Sequence, residues 1–166
     1  MATPEPPKIF LDTSVLFSAF LSKTGGAREI INFCYGGAIH ILVSANVLRE
    51  IESVLRRKSP QHLESLLRLL DEANVTVSRN ASARQLKLAK TWVSYEADAN
   101  VLADVIAASP SFFVTLDKKH FLNNAKLKKE LPFPMGTPGD VLAWYRERLI
   151  QQSLIGTEED AEDNLT

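Results

Sequence analysis

The hydrophobic pattern of this chain is organised around a short apolar segment that ends in an aspartate. Residues 8–11 read Lys-Ile-Phe-Leu and lead directly into Asp12, and apolar residues then recur at helical spacing from Val15 to Phe20. A short apolar segment bounded by polar residues is typical of a strand that is buried on both faces. The pattern therefore predicts Asp12 at the carboxyl end of a central strand, where open parallel sheets bind ligands.

Strand and helix patterns alternate along the rest of the chain. Further strands are predicted at 39–43, 74–77, 112–115 and 133–135, the last at a sheet edge because it contains a proline. Helices are predicted at 27–35, 45–57, 61–72, 81–93, 98–108 and from Pro138 to about residue 150, with one helical turn at 118–123 and then a basic loop around 126–129. This alternation predicts an α/β fold with a mainly parallel sheet.

A second aspartate repeats the position of the first. The apolar strand at 112–115 ends just before Asp117, as the first strand ends before Asp12. The carboxyl ends of parallel strands lie at one edge of a sheet, so these two acids converge if their strands are neighbours. Each also has a structural alternative, because Asp12 fits a helix N-cap and Asp117 fits a turn.

Helical periodicity indicates a third acid as a candidate functional residue. Apolar residues between Val101 and Ile106 form a stripe on one face of the helix, and Asp98 falls at its centre at 100° per residue. By the same count, Asp104 and Glu96 are predicted on the solvent side. A carboxylate on a buried face is costly unless it is paired or binds a cation. Asp98 is therefore the functional candidate of this helix, with an N-cap as the alternative.

Periodicity does not choose between two glutamates in the helix at 45–57. Glu50 and Glu52 flank the apolar centre near Ile51 about equally. Either one is also explained as a solvated residue on the flank of the helix.

Composition and charge are those of a globular domain with an acidic end. The chain has 166 residues, 45% hydrophobic and 23% charged, with a net charge of −1. Residues 157–166 hold five of the 20 acidic residues and no basic one, so the remainder carries 19 bases against 15 acids, or about +4. A mildly basic body is compatible with a nucleic-acid partner but does not require one.

The composition of the two ends of the sequence indicates the limits of the domain. One domain is expected at 8–150, between a proline-rich, poorly ordered lead-in at 1–7 and an acidic, disordered tail at 151–166.

The single cysteine and the lack of targeting segments indicate the compartment. Because Cys34 is the only cysteine, an internal disulfide is excluded, and Cys34 is expected to be a buried apolar residue. The start lacks the features of a signal peptide, and no apolar run approaches the ~20 residues of a membrane span, so a cytoplasmic protein is expected.

Four segments in order resemble the PIN-domain family of metal-dependent ribonucleases. They are LDTSVLFSAFLS at 11–22, VSANVLREIESVLRRK at 43–58, EADANVLADVIAASPSFFVTLDKKHF at 96–121 and PMGTPGDVLAWY at 134–145. The resemblance covers nearly all of residues 8–150. It is nearest to the subgroup described as toxin components of toxin–antitoxin pairs.

The resemblance implies a fold, a site and an activity. The fold would be a PIN-like three-layer sandwich, with a central mainly parallel sheet flanked by helices. The metal-binding and catalytic residues would be Asp12, Glu50, Asp98 and Asp117, so the resemblance selects Glu50 over its neighbour. They would hold Mg²⁺ or Mn²⁺ and support hydrolysis of single-stranded RNA. The implied partners are RNA, an antitoxin protein and a second copy of the chain in a homodimer.

Further residues are candidates for supporting roles. Thr13, Ser14 and Thr115 could orient the ligands or contact phosphate. Basic residues that could contact the RNA backbone are Lys118, Lys119, Lys126 and the segment 56–58, although an ordinary solvated surface explains them equally well. His120 could donate a hydrogen bond to the site, but a histidine in a loop is more often a surface residue.

Two alternatives to a nuclease relate to particular residues of the sequence. A binding module that keeps the fold without the chemistry is favoured mildly by Ala97, where relatives often have an aspartate. A haloacid-dehalogenase-like phosphotransferase is rejected, because that family needs a second aspartate two residues after the first and Ser14 stands there instead.

Overall fold

The central feature of the fold is a sheet of five parallel strands. The computed structural model describes residues 4–163, including the side chains of residues 4–155. The strands lie in the order β3-β2-β1-β4-β5 and every neighbouring pair is parallel. Their bounds are β1 Lys8–Leu11, β2 His40–Val43, β3 Thr76–Val77, β4 Phe112–Val114 and β5 Met135–Gly136. The predicted α/β fold with a parallel sheet is confirmed.

Helices connect the strands and flank the sheet. They are α1 Thr13–Leu21, α2 Gly26–Tyr35, α3 Ala45–Lys58, α4 Leu63–Glu72, α5 Ala83–Trp92, α6 Glu96–Ala108, α7 Ala125–Glu130 and α8 Pro138–Asp163. A 3₁₀ turn at Pro60–His62 precedes α4, and a π-helical turn at Lys118–Leu122 follows β4. None of the helices in the described part of the chain is long and apolar enough to cross a membrane.

Strand β1 lies at the centre of the sheet and of the core. Its apolar residues are fully buried, and Phe10 pairs in register with Leu42 on one side and Phe113 on the other. The Phe10 and Phe113 rings also meet edge to face, with centroids 5.9 Å apart. The prediction of a strand buried on both faces is confirmed, and it gives Asp12 a rigid support.

The strand order places a ligand-binding crevice beside β1. The chain moves outward from β1 through β2 to β3 and then returns to the other side of β1 to form β4 and β5. Open α/β sheets bind ligands at such a reversal, outside the carboxyl ends of the strands. Asp12 and Asp117 follow the two strands that border this reversal.

Several predicted boundaries differ from the structure. The final helix continues to Asp163 instead of ending near residue 150. The predicted basic loop near residue 126 is helix α7, which Asn124 caps by accepting a hydrogen bond from the Leu127 backbone N–H (3.0 Å). Of the predicted lead-in and tail, residues 1–3 and 164–166 lie outside the described residues.

The prediction that Asp104 faces solvent is wrong. Its side chain is 2% exposed and accepts hydrogen bonds from Asn46 Nδ2 (2.7 Å) and the Ala81 backbone N–H (3.2 Å). Helix α6 packs against α5 as well as α3, so a second face of the helix is covered. Asp104 thereby links α6 to α3 and to the segment before α5.

The cysteine is less enclosed than predicted. Cys34 is half-buried, and its thiol donates to the backbone carbonyl of Ala73 (3.0 Å). The thiol therefore has a polar partner in the turn after α4.

Candidate metal centre

Asp12 is held in place by two hydrogen bonds at the end of β1. Its Oδ1 accepts from the Ser14 backbone N–H (2.7 Å), which makes it the N-cap of α1, and its Oδ2 accepts from the Thr115 hydroxyl. The side chain is buried. The N-cap alternative is therefore correct for Asp12, and the same residue also lies at the crevice.

The segment after β4 is attached to the start of α1. The fully buried Thr115 hydroxyl, besides donating to Asp12, accepts from the Asp117 backbone N–H (3.0 Å). The Ser14 hydroxyl accepts from the Leu116 backbone N–H (3.1 Å). These contacts bring Asp117 next to Asp12 although 105 positions separate them in the sequence.

Asp117 begins the π-helical turn. Its Oδ1 accepts from the His120 backbone N–H (3.0 Å), so the turn alternative is also correct for this residue. Its Oδ2 lies 2.9 Å from His120 Nδ1.

Asp98 lies in the first turn of α6 and is not its N-cap, because Tyr95 occupies that position. Its Oδ2 is shielded from solvent and makes no well-oriented hydrogen bond within the described part of the chain. His120 Nδ1 lies 3.0 Å from this oxygen, but the ring is not directed for a hydrogen bond to it. A buried carboxylate oxygen without a donor is costly, and a cation would remove that cost.

The structure separates the two glutamates of α3. Glu50 faces the crevice, and its Oε2 accepts from the Thr13 hydroxyl (2.8 Å). Glu52 lies on the surface and pairs with Arg56 (2.7 Å). Only Glu50 of the pair can contribute to the site.

The four predicted acids line one cavity of about 220 Å³. They come from four different parts of the chain, and they are Asp12, Glu50, Asp98 and Asp117. Hydroxyl and apolar side chains complete the lining, namely Thr13, Ser14, Phe17, Val54, Val101 and Phe121. Acids that are remote in sequence therefore share one hollow at the carboxyl edge of the sheet.

Burial and mutual repulsion disturb the ionisation of these acids. Burial raises the pKa of Asp12, although hydrogen bonds from Thr115 and Ser14 oppose the change. Burial also raises the pKa of Asp98; the charge of His120 opposes this rise, and the nearby charges of Asp117 and Glu50 add to it. Such a site favours a bound cation, which would stabilise both carboxylates in their charged form.

Asp117 behaves differently from its neighbours. Burial alone would raise the pKa of this carboxyl, but hydrogen bonds from the His120 backbone and ring, together with the charge of His120, outweigh it and lower the pKa. Asp117 therefore ionises more readily than a solvated aspartate.

His120, which the sequence offered as a possible hydrogen-bond donor to the site and otherwise as a surface residue, contacts two of the acids. Its Nδ1 lies within 3.0 Å of both Asp98 and Asp117, and the three side chains could hold one ion. Tyr95 stacks on its ring, with centroids 5.7 Å apart and planes 17° apart. The spacing from Asp117 to His120 was the only local signal, because the contact with Asp98 depends on the packing of α6.

The predicted basic contacts lie outside the cavity. Lys118, Lys119 and Lys126 are exposed on the π turn and α7, and residues 56–58 are exposed at the end of α3. No lysine or arginine among the described residues lines the cavity. A role for these bases in binding phosphate remains a prediction.

The donor set fits a hard divalent cation. Carboxylate oxygens suit Mg²⁺ and Mn²⁺, and the unpaired Asp98 Oδ2 has the charge and burial of a ligand atom. The threonines that donate to Asp12 and Glu50 fix the orientation of those carboxylates.

The fold and the acidic cavity define an α/β protein with a candidate metal centre at the carboxyl edge of its sheet. Residues 8–119 match the family model of the PIN domain, and the chain belongs to that family. PIN domains are generally nucleases that use a divalent metal. The family expected from the four sequence segments is confirmed.

The fold resembles that of a solved structure. It is described as VapBC2 from Rickettsia felis bound to a DNA fragment from their promoter, and the match has a TM-score of 0.56 and 16% identity. The match covers 78% of this chain and 98% of that chain. At this identity the likeness concerns the fold alone. A search of curated proteins finds no match.

Proposed function

We propose that this protein is a divalent-metal-dependent endoribonuclease that hydrolyses phosphodiester bonds of single-stranded RNA. In this proposal Asp12, Glu50, Asp98 and Asp117 hold Mg²⁺ or Mn²⁺. The observation that carries it is the convergence of these four carboxylates on one cavity at the reversal of strand order. Membership of a nuclease family supports the same reading.

The chain itself would orient the carboxylates and surround them with apolar side chains. When bound, the ion provides Lewis-acid stabilisation of a phosphoryl oxygen and lowers the pKa of a water. Thr115 and Thr13 each keep one carboxylate, of Asp12 and Glu50, in a fixed orientation. Apolar side chains line the cavity beside the carboxylates, and less polar surroundings strengthen the interaction of a carboxylate with a cation.

The RNA backbone would be bound outside the cavity by exposed bases. Lys118 and Lys119 directly follow Asp117, and residues 56–58 end the helix that carries Glu50. Contacts of this kind are independent of sequence and weaken with salt. They would place a phosphate over the acidic cavity without reading bases.

Assembly with other chains is a further part of the proposal. The structural neighbour is described as a VapBC2 complex bound to promoter DNA, which supports a toxin role here with an antitoxin partner. Co-purification with the product of an adjacent small gene tests that role. Light scattering of the purified protein tests the homodimer.

The decisive experiment is cleavage of labelled single-stranded RNA with Mn²⁺ or Mg²⁺, with and without a chelator. We expect chelation to stop cleavage and Asp12→Asn to lower the rate by at least about 100-fold, because one ligand of the metal is lost. Glu52→Gln is the matched control, since that acid lies outside the cavity. Equal cleavage by wild type and Asp12→Asn contradicts the site assignment.

A binding module is the second candidate, and Ala97 at the exposed start of α6 is the observation that favours it. Such a protein would bind RNA or another protein without cleaving it. RNA binding without cleavage, together with no measurable binding of Mn²⁺, supports this candidate against the nuclease.

A further inference from the structure

We propose that His120 is a nitrogen ligand of the metal centre and that the centre therefore prefers a transition ion such as Mn²⁺ or Co²⁺ to Mg²⁺. The inference rests on the metal centre of the proposed function, but it does not need RNA to be the substrate. It adds a nitrogen ligand beside Asp98 and Asp117, two of the four acids, and narrows the choice of ion.

The first argument is the spacing of the donor atoms. His120 Nδ1 lies 3.0 Å from Asp98 Oδ2 and 2.9 Å from Asp117 Oδ2. Two ligands at right angles, each about 2.1 Å from one ion, lie about 3.0 Å apart. Both separations match an edge of an octahedral coordination shell, and ligand atoms of the three side chains lie within 4.8 Å of one another.

The second argument is that a hydrogen bond alone leaves the cluster incomplete. His120 Nδ1 is within hydrogen-bonding distance and orientation of Asp117 Oδ2 only. Asp98 Oδ2, equally close, is shielded from solvent and has no well-oriented donor within the described residues. One N–H cannot satisfy two carboxylates, whereas one ion can bind both of them and the imidazole nitrogen.

The third argument is that the imidazole is held in this orientation. The His120 backbone N–H donates to Asp117 Oδ1 (3.0 Å), which fixes the start of the side chain. The exposed ring of Tyr95 covers one face of the imidazole at 5.7 Å. The backbone hydrogen bond and the stacked ring together keep Nδ1 directed at the two carboxylates.

The ligand type determines the choice of ion. Mg²⁺ is bound mainly by oxygen and retains several waters, so an imidazole adds little to its affinity. First-row transition ions bind nitrogen well, with affinity that rises from Mn²⁺ through Co²⁺. The difference in affinity between Mn²⁺ and Mg²⁺ is therefore larger for a mixed set of carboxylate and imidazole ligands than for four carboxylates.

The test uses Mn²⁺ as a spectroscopic probe of the full-length protein. Pulsed electron paramagnetic resonance of the Mn²⁺-loaded wild type should show hyperfine coupling to a nitrogen of imidazole. His120→Phe keeps an aromatic ring for Tyr95 but removes the donor, and it should lose the coupling. His62→Phe is the matched control and should keep it, because His62 packs against Phe20 (5.9 Å) and not at the cavity.

Calorimetry gives an independent measurement. We expect His120→Phe to weaken Mn²⁺ binding by about tenfold or more and Mg²⁺ binding by less than about threefold. Equal losses for the two ions would overturn the ion preference.

The spectrum of the wild type decides the inference even if His120→Phe does not fold. Bound Mn²⁺ without nitrogen coupling overturns it, as does a protein that binds no Mn²⁺ at all. RNA cleavage without nitrogen coupling would reject the inference and leave the proposed function standing. Nitrogen coupling without cleavage of any RNA would support the inference and contradict the proposed function.

Discussion

At the scale of single residues, buried Asp12 and half-buried Asp98 are stabilised to different degrees. Asp12 accepts a hydrogen bond at each oxygen, from Ser14 and Thr115. Asp98 has an oxygen that is shielded from water and from well-oriented donors among the described residues. In the metal-free protein, the unfavourable free energy of shielding a carboxylate without a donor therefore falls mainly on Asp98.

This cost predicts that Asp98→Asn stabilises the metal-free protein in a pH-dependent way. Burial raises the pKa of Asp98, so folding favours its protonated form. That stabilisation is complete below the usual pKa of about 4 and is lost as pH rises through the raised value. We expect the variant to exceed wild type by about 1 kcal/mol at about pH 7, and to match it at the acid end.

Thermal melts in chelator across this pH range measure the effect. Asp71→Asn is the control, because Asp71 is exposed on α4 and its replacement should leave the stability difference flat with pH. A variant that is less stable than wild type at neutral pH would show that Asp98 is already satisfied without a cation.

Sequence patterns identified individual residues only where one rule decided their position. Asp12 and Asp117 were found because a buried strand ends just before each of them. Asp104 was misplaced because a single apolar stripe assumes one covered face, and α6 is covered by both α3 and α5. His120 was predicted only as a possible hydrogen-bond donor, because its contact with Asp98 joins two elements that no local pattern relates.

At the scale of elements, reciprocal hydrogen bonds join the end of β5 to the start of α8. Asp140 Oδ2 accepts from the Thr137 backbone N–H (2.7 Å) and hydroxyl (2.8 Å), and Thr137 Oγ1 accepts from the Asp140 backbone N–H (3.2 Å). A methyl group at Gly136 would lie 2.7 Å from Asp140 Cβ and Oδ2. This glycine is required because the carboxylate occupies the space of a side chain.

Gly136→Ala should therefore destabilise the protein. The added carbon can be accommodated only if Asp140 moves and loses its two bonds from Thr137, so we expect a loss of about 1–3 kcal/mol. Denaturant unfolding measures the loss. Gly139→Ala is the matched control, because its added carbon would meet only the Thr137 hydroxyl oxygen at 3.7 Å. Equal stabilities of the two variants would contradict this account of the junction.

Predictions for whole elements succeeded where the apolar pattern was long or continuous and failed at boundaries. Strand β1 and helix α3 match their predicted ranges to within one residue. Strands β3 and β5 are only two residues long, because each lies at a sheet edge and pairs on one side. The end of α8 was missed because its apolar stripe fades before the helix ends at Asp163.

At the scale of the whole molecule, the order of the strands brings together acids that are far apart in the sequence. Two of the four acids follow adjacent strands, and the others begin α6 and lie in α3, which pack against each other. The four carboxylates that repel one another in the cavity therefore come from segments spread over most of the chain. A cation that binds them should stabilise the entire fold, because the unfolded chain does not assemble the site.

Added Mn²⁺ should consequently raise the unfolding temperature, and more strongly at higher pH. At about 100 times the dissociation constant the gain is about 2.7 kcal/mol, or roughly 5–10 °C for a domain of this size. The raised pKa values of Asp12 and Asp98 mean that the ion must displace protons at acid pH, so the gain should shrink from about pH 7.5 to about pH 5. Glu50→Gln should reduce the gain and Glu52→Gln should not, because only Glu50 faces the cavity. A gain of the same size in both variants would mean that the ion stabilises the protein from somewhere else.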